Sequence, residues 1–278
     1  MALALGFPFC TTTFDVSFIK TLTPGVKNIR PHYSYAVATS KTPFGPFETV
    51  DSSAGSSFRY GNQHHSSVDP NSVGKNAGIG DFSLFKDDDG TAFMLYSHAP
   101  VPLQDRLLNA VNCSSGGADP AGCGKLSVAK LTPDFLHSSW DPETQSGEGV
   151  ALSGFEAPAM FRRGSTYYAL TSAPCCYCGA GGKVYVHTAP TPLGPYTRQN
   201  QPIDFGTGNT TTQGQQSTVT AVAGGNDFIW QGDRWQSAPD HIKAHDFQFW
   251  SKLEFDSDGA IRPMKWVDDF TLNLSAEK

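Results

Sequence analysis

The chain lacks any apolar run of about 18 residues, the least a helix needs to cross a bilayer, so no helical membrane span is expected. It is also short of positive charge. Its 20 Lys and Arg stand against 26 Asp and Glu, a formal net charge of -6, which argues against nucleic acid because such a partner needs a basic face. Sustained helical periodicity is missing, and the best helical candidate, Leu103 to Val111, is short. Paired CxxC knuckles are missing too, which speaks against a structural zinc site among the cysteines. The first ten residues, MALALGFPFC, have no basic n-region, so they do not read as a signal peptide.

What is present is turn chemistry and aromatic strands. With 28 Gly, 19 Pro and 12% aromatics spread along the chain, many short strands joined by tight turns are expected. The segments YAVAT, TAFMLYS, KLSVAKL, TYYALTS, KVYVHTA, TVTAVA, DFIWQGDRW and FWSKLEF all have strand character. Asp89-Gly90, Arg163-Gly164, Gly45-Pro46, Gly194-Pro195 and Asp258-Gly259 punctuate them as turns. The six cysteines are Cys10, Cys113, Cys123, Cys175, Cys176 and Cys178. Cys113 and Cys123 bracket a glycine-rich loop and are expected to form a local disulfide; pairing within the CCYC cluster is not legible. Together with sequons at Asn112, Asn209 and Asn273, the cysteines favour a secreted protein or one in the secretory pathway.

Two segments occur twice. Asp81 opens DFSLFKDDDGTAFMLYS and Glu156 opens EAPAMFRRGSTYYALTS, each an acid, a short apolar run, a polar turn and an aromatic strand ending in Ser. TSKTPFGPF, from Thr39, returns as TAPTPLGPY, from Thr188. Repeated β-units imply radial or stacked sheets, in which carboxylates at equivalent places converge on one axis. The predicted unit is an acid-headed strand, a turn, a second strand, a third carrying VA or VH, and a Gly-Pro turn, with about four units along the chain. Residues 1–34 stay unplaced, and 35–278 read as one all-β propeller domain.

The blocks GDFSLFKDDDGTAFMLYS, FEAPAMFRRGSTYYALTS, GQQSTV and FIWQGDRW, in that order, resemble glycoside hydrolase family 43, most closely its exo-β-1,3-galactanase-like branch. The resemblance implies a five-bladed β-propeller that cleaves O-glycosidic bonds with inversion, on a galactan-type polysaccharide or, behind it, an arabinan or xylan. Glu156 matches the general acid, Asp81 the acid that tunes its pKa and orients the sugar, and Gln216 a residue that positions water where other branches carry a base. Gln215, Asp233, Arg234 and Trp235 fall in the same blocks as substrate-binding candidates. No metal or cofactor is implied, and a monomer is expected. Relatives place a whole blade and half of another before the segment matching YAVATS, so the ring is expected to lack its first blade and part of the second.

Each assignment has a plainer rival. Asp81 could cap a turn, Glu156 could be a solvated loop acid, and Gln216 a surface residue before a strand. Asp87, Asp88 and Asp89 read as a solvated hairpin turn. Asp233 and Arg234 are expected to pair with each other or with strand ends. Trp235 and Trp250 read as core residues, and His98, His187 and His245 as structural histidines. The alternative function is a carbohydrate-binding propeller without turnover.

Overall fold

The computed structural model describes residues 3–5, 11–15, 36–49, 79–98, 125–135, 138, 140, 147–154, 156–172, 182–205, 212–222 and 227–273. These form four antiparallel sheets. The first has the order β1 (Leu3–Leu5), β2 (Thr11–Asp15), β3 (Ala36–Ser40) and β4 (Glu48–Thr49). The second is β5 (Ile79–Lys86), β6 (Ala92–His98), β7 (Lys125–Lys130) and β8 (Gly149–Ser153). The third is β9 (Glu156–Arg163), β10 (Thr166–Ser172), β11 (Val184–Ala189) and β12 (Thr197–Arg198). The last is three-stranded: β13 (Gln215–Ala221), β14 (Phe228–Asp233) and β15 (Gln248–Lys252). Among the described residues the helical content is one short 3₁₀ turn, Lys243–His245. The all-β fold expected from the sequence is observed, its antiparallel sheets are consistent with a propeller-like fold although no closed ring is seen among the described residues, and the candidate helix at Leu103 to Val111 lies outside them.

Each sequence repeat becomes a structural one. The two acid-headed cassettes are the β5–β6 and β9–β10 hairpins. The two Thr-to-aromatic repeats are the turns that lead from third to fourth strand. In both, a Thr hydroxyl donates to a Gly carbonyl at 2.7 Å (Thr42 to Gly45, Thr191 to Gly194), and that Gly precedes a cis proline. Gly45 and Gly194 have φ of 85° and 93°, a region open to glycine and strained for other residues. The same local sequence has therefore found the same local minimum twice.

Apolar side chains fill the spaces between sheets. Phe93, Leu95, Leu126 and Val128 of the second sheet pack with Met160 and Ala169 of the third. On the third sheet's other side Phe161, Tyr168 and Leu170 pack with Val219, Phe228, Trp230 and Phe249 of the last. Strand alternation explains this: β6 and β10 bury residues on both faces, as strands covered on both sides must. The stacking sets the first strands of the sheets side by side, with β9 packed between β5 and β13.

Polar latches join neighbouring sheets. Asp87 is not merely a solvated turn residue, as its sequence context implies: its side chain is 9% exposed. Arg162 Nη1 donates to Asp87 Oδ1 at 3.0 Å, and the Tyr167 hydroxyl donates to Asp87 Oδ2 at 2.5 Å. Burial pushes the Asp87 carboxyl up, but hydrogen bonds from Tyr167, the Asp88 N–H and Arg162 outweigh it and hold the pKa below 3.8. This latch is therefore present above about pH 4 and fades as pH falls through the depressed value. Tyr167→Phe, which keeps the ring and loses the hydroxyl, should lower stability by about 1–2 kcal/mol at neutral pH. Urea unfolding checks this, and the gap from wild type should narrow in strong acid.

His187 on β11 is 3% exposed and faces Ala169 and Arg198 in register. Its Nε2 lies 3.5 Å from Ser153 Oγ on the neighbouring sheet, which fits the structural role expected of it. Burial first, then the Arg198 charge, pull its pKa from 6.5 down to about 4. The unfolded chain thus takes up a proton on His187 between those values while the folded chain does not. Stability should be full above pH 6.5 and fall on acidification, by about 1.4 kcal/mol per pH unit across the window. Urea midpoints for His187→Gln should lose that part of the slope; an unchanged slope would assign it to other groups.

The disulfide expectation is corrected. The structure holds no disulfide among the described residues, and all six cysteines lie outside them. Strand pairing, apolar clusters and the polar latches hold the described sheets together instead.

Candidate active site

The site is built on one residue, Ala157, and the two peptide groups that flank it. Glu156 leads β9, opposite Ser172, and is partly buried. The residue after it, Ala157, has φ of 49°, in the left-handed region. Alanine avoids that region because Cβ crowds the carbonyl, and a residue before proline, here Pro158, is restricted to extended conformations. Such an outlier costs about 1–3 kcal/mol and persists only where its surroundings fix it.

Two of the predicted site residues do the fixing. Asp81 Oδ2, from β5, accepts the Ala157 N–H at 3.0 Å. Gln216 Nε2, from β13, donates to the Ala157 carbonyl at 2.6 Å. Asp81 and Gln216 lie 76 and 59 residues from Ala157 in sequence, so the stacking of β5, β9 and β13 brings the three together. A carboxylate accepting a backbone N–H is a charge-assisted bond, stronger than a neutral one.

The same irregularity marks all three strands. Between Ile79 and Phe82 on β5, between Glu156 and Ala159 on β9, and between Gln216 and Thr218 on β13, one extra residue interrupts the ladder. A β-bulge bends its strand and re-aims side chains, and bulges gather beside active sites. Three bulges at corresponding ends of adjacent first strands thus fall at Asp81 and directly beside Glu156 and Gln216.

A second layer holds the glutamines. Gln216 is 3% exposed, and its Oε1 accepts from Trp230 Nε1 at 3.3 Å. Gln215 is buried, and its Oε1 accepts from Trp235 Nε1 at 3.1 Å. Lys243 Nζ sits 4.0 Å from the centre of the Trp235 ring, a cation–π contact. Trp235 is thus half-buried and bound to Gln215 rather than a core residue. Asp233 and Arg234 do not pair with each other. Asp233 Oδ1 accepts from Gln248 Nε2, and Arg234 Nη2 donates to Gln213 at 3.0 Å. Arg234 also lies over the Trp266 ring at 4.6 Å.

Trp250 is 52% exposed, because β15 turns Phe249 and Ser251 inward and leaves it on the opposite face. With Phe247, Phe249, Trp266 and Phe270 it lines an open groove of about 660 Å³ along the outer strand of the last sheet. Sequence reading missed two residues of this candidate site. Ala157 carries no chemical signal, since its role is a backbone angle. Trp230 reads as plain core, and only the indole N–H marks it as more.

Nothing among protein-family models or curated sequences matches the chain. Solved structures do. One is a family 43 β-1,3-galactosidase with galactodeoxynojirimycin, at 18% identity and TM-score 0.61 over 98% of this chain and 75% of that one. Another is an exo-β-1,3-galactanase from Phanerochaete chrysosporium with β-1,3-galactotriose, at 19% identity and TM-score 0.57 over 92% of this chain. A thermostable family 43 glycoside hydrolase gives 17% identity and TM-score 0.59 over 99% of this chain and 78% of that one. The chain shares the fold of family 43 glycoside hydrolases. It spans 45% of the length of the Phanerochaete enzyme.

Proposed function

We propose that the chain is the catalytic propeller of an inverting glycoside hydrolase acting on β-1,3-linked galactan, with the four sheets as blades of a five-bladed ring. The observation that carries this reading is the convergence of Asp81 and Gln216 on Ala157, the residue that follows Glu156. Breaking a glycosidic bond with inversion needs a proton for the leaving oxygen and a water activated on the opposite sugar face. Glu156 supplies the proton. Asp81 places a negative charge beside the junction, which favours the protonated form of a nearby carboxyl, and it fixes the backbone that carries Glu156. Gln216 spends one N–H on Ala157 and one lone pair on Trp230, leaving one N–H and one lone pair for water or sugar. Gln215, Asp233, Arg234 and Trp235 shape the rim beside it. The likeness to structures holding galactose-type ligands supports galactan over arabinan or xylan. The sequons support a secretory destination.

One observation favours a second reading, a carbohydrate-binding propeller without turnover. An amide takes no proton from water, so Gln216 cannot serve as the base. Incubation with β-1,3-galactan, an arabinofuranoside and a β-xyloside decides between them. Release of galactose supports the proposal; release from the other sugars alone moves the substrate, and binding without release selects the second reading.

A further inference from the structure

We propose that Trp230 is a positioning residue for Glu156, acting through Gln216 and the Ala157 peptide. This inference rests on Glu156 being the proton donor and goes beyond it by assigning a role to a residue far inside the sheet.

The linkage is short and buried. Trp230 is fully buried on β14, at 0% exposure, and donates its indole N–H to Gln216 Oε1 at 3.3 Å. That bond turns the Gln216 carboxamide so that Nε2 points to the Ala157 carbonyl at 2.6 Å. A primary amide can flip its oxygen and nitrogen with little change in shape, and only its neighbours decide which way it sits. An indole N–H is a donor only, so beside Trp230 the amide must present oxygen, and nitrogen is left for Ala157. A carbonyl facing the flipped amide oxygen would be repelled, and the strained φ of 49° would lose its partner on that side. The Asp81 bond to the Ala157 N–H would then hold Ala157 from one side only. Glu156 is joined directly to Ala157, so its carboxyl moves with that residue.

The ring has room for this task only because residue 232 is glycine. A Cβ there would meet Trp230 Cη2 at 2.2 Å and the Gln215 carbonyl at 2.8 Å. Packing alone would explain a buried aromatic at position 230. Packing does not explain a donor aimed at the amide that fixes the strained residue, and the two roles separate experimentally.

Trp230→Phe keeps an aromatic ring and deletes the donor; Gln216→Met deletes the amide at similar volume and serves if the first variant fails to fold. Trp250→Phe, in the exposed groove, is the control. Two readouts are needed: kcat and KM against pH on β-1,3-galactotriose, and titration of the Glu156 carboxyl by ¹³C NMR in ligand-free protein. The expected result is a kcat lowered roughly tenfold to a hundredfold with KM nearly kept, as for a misplaced catalytic group. The acid-donor limb of the pH profile and the Glu156 titration should shift together, and Trp250→Phe should shift neither. If wild type has no activity but Trp230→Phe still moves the Glu156 titration, the positioning role stands and the hydrolase reading falls. If the Glu156 titration is unmoved in both Trp230→Phe and Gln216→Met, the proposal is overturned, whatever happens to stability.

Discussion

Replacing Glu156 with Gln should abolish galactan hydrolysis while leaving galactose binding within a few-fold of wild type. The substitution keeps the shape of the side chain and removes the proton it can deliver. General acid catalysis by a positioned carboxyl contributes on the order of 10²–10⁴-fold, so kcat should fall by about that factor. The ground-state hydrogen bonds to sugar survive, because an amide still donates and accepts. Substrates with a good leaving group need little protonation and should recover much of the lost rate, whereas galactan should not. A donor that acts on the leaving oxygen predicts this contrast, and general damage to the pocket does not. Asp81→Asn should be less severe and mixed: it removes the charge next to the junction but leaves an oxygen able to accept the Ala157 N–H. If Glu156→Gln keeps half or more of the activity, the donor lies elsewhere.

The second large effect is structural. Gly232→Ala should destabilise the chain by about 1–3 kcal/mol or more, although it adds one methyl group. That methyl would sit 2.2 Å from Trp230 Cη2, 2.7 Å from Cζ3 and 2.8 Å from the Gln215 carbonyl oxygen. Neither partner yields easily. Trp230 packs within the cluster of Phe161, Phe228 and Phe249, and the carbonyl belongs to the β13 backbone that pairs with β14. The strain has to go into the ring or into the ladder, and either route disturbs Gln216 one residue away. Urea unfolding and near-ultraviolet circular dichroism of the indole report both consequences. Gly90→Ala makes the comparison, since a Cβ there meets nothing within 4 Å and suffers only from its φ of 89°. A Gly232 variant as stable as wild type, with an unchanged indole signal, would mean that the Trp230 ring is not held in place by its neighbours.

Much of this architecture was legible because it is repetitive and local. The acid-headed cassettes, the Asp-Gly turn and the two Gly-Pro turns are short segments whose conformation follows from their own residues. They recur as the β5–β6 and β9–β10 hairpins and as the paired turns at Gly45 and Gly194. Asp81 and Glu156 could be singled out for the same reason, each heading a repeated cassette, whereas Gln216 was marked only by the resemblance of the GQQSTV block. Their joint action could not be read. Whether Asp81 merely caps its own turn depends on a backbone N–H 76 residues away, which belongs to a strained alanine with an ordinary side chain. The start of β13 was obscured in a similar way. Gln215 and Gln216 look like loop residues before TVTAVA, yet tryptophan N–H groups bond both amide oxygens and let them enter the strand buried. The Asp87 turn misled through exposure: nothing in DDDG reveals that Arg162 and Tyr167 of the next sheet close over its first carboxylate. Non-local satisfaction of polar groups, rather than apolar patterning, is where sequence reasoning gave out.

The most direct test of the proposed chemistry is the anomeric form of the first product, followed by ¹H NMR during hydrolysis of a β-1,3-linked galacto-oligosaccharide. Inversion predicts α-galactose appearing first and mutarotating afterwards, because water attacks the face opposite the bond that Glu156 protonates. β-Galactose appearing first would require a carboxylate nucleophile and a retained configuration, and would contradict the proposed roles of Glu156, Asp81 and Gln216.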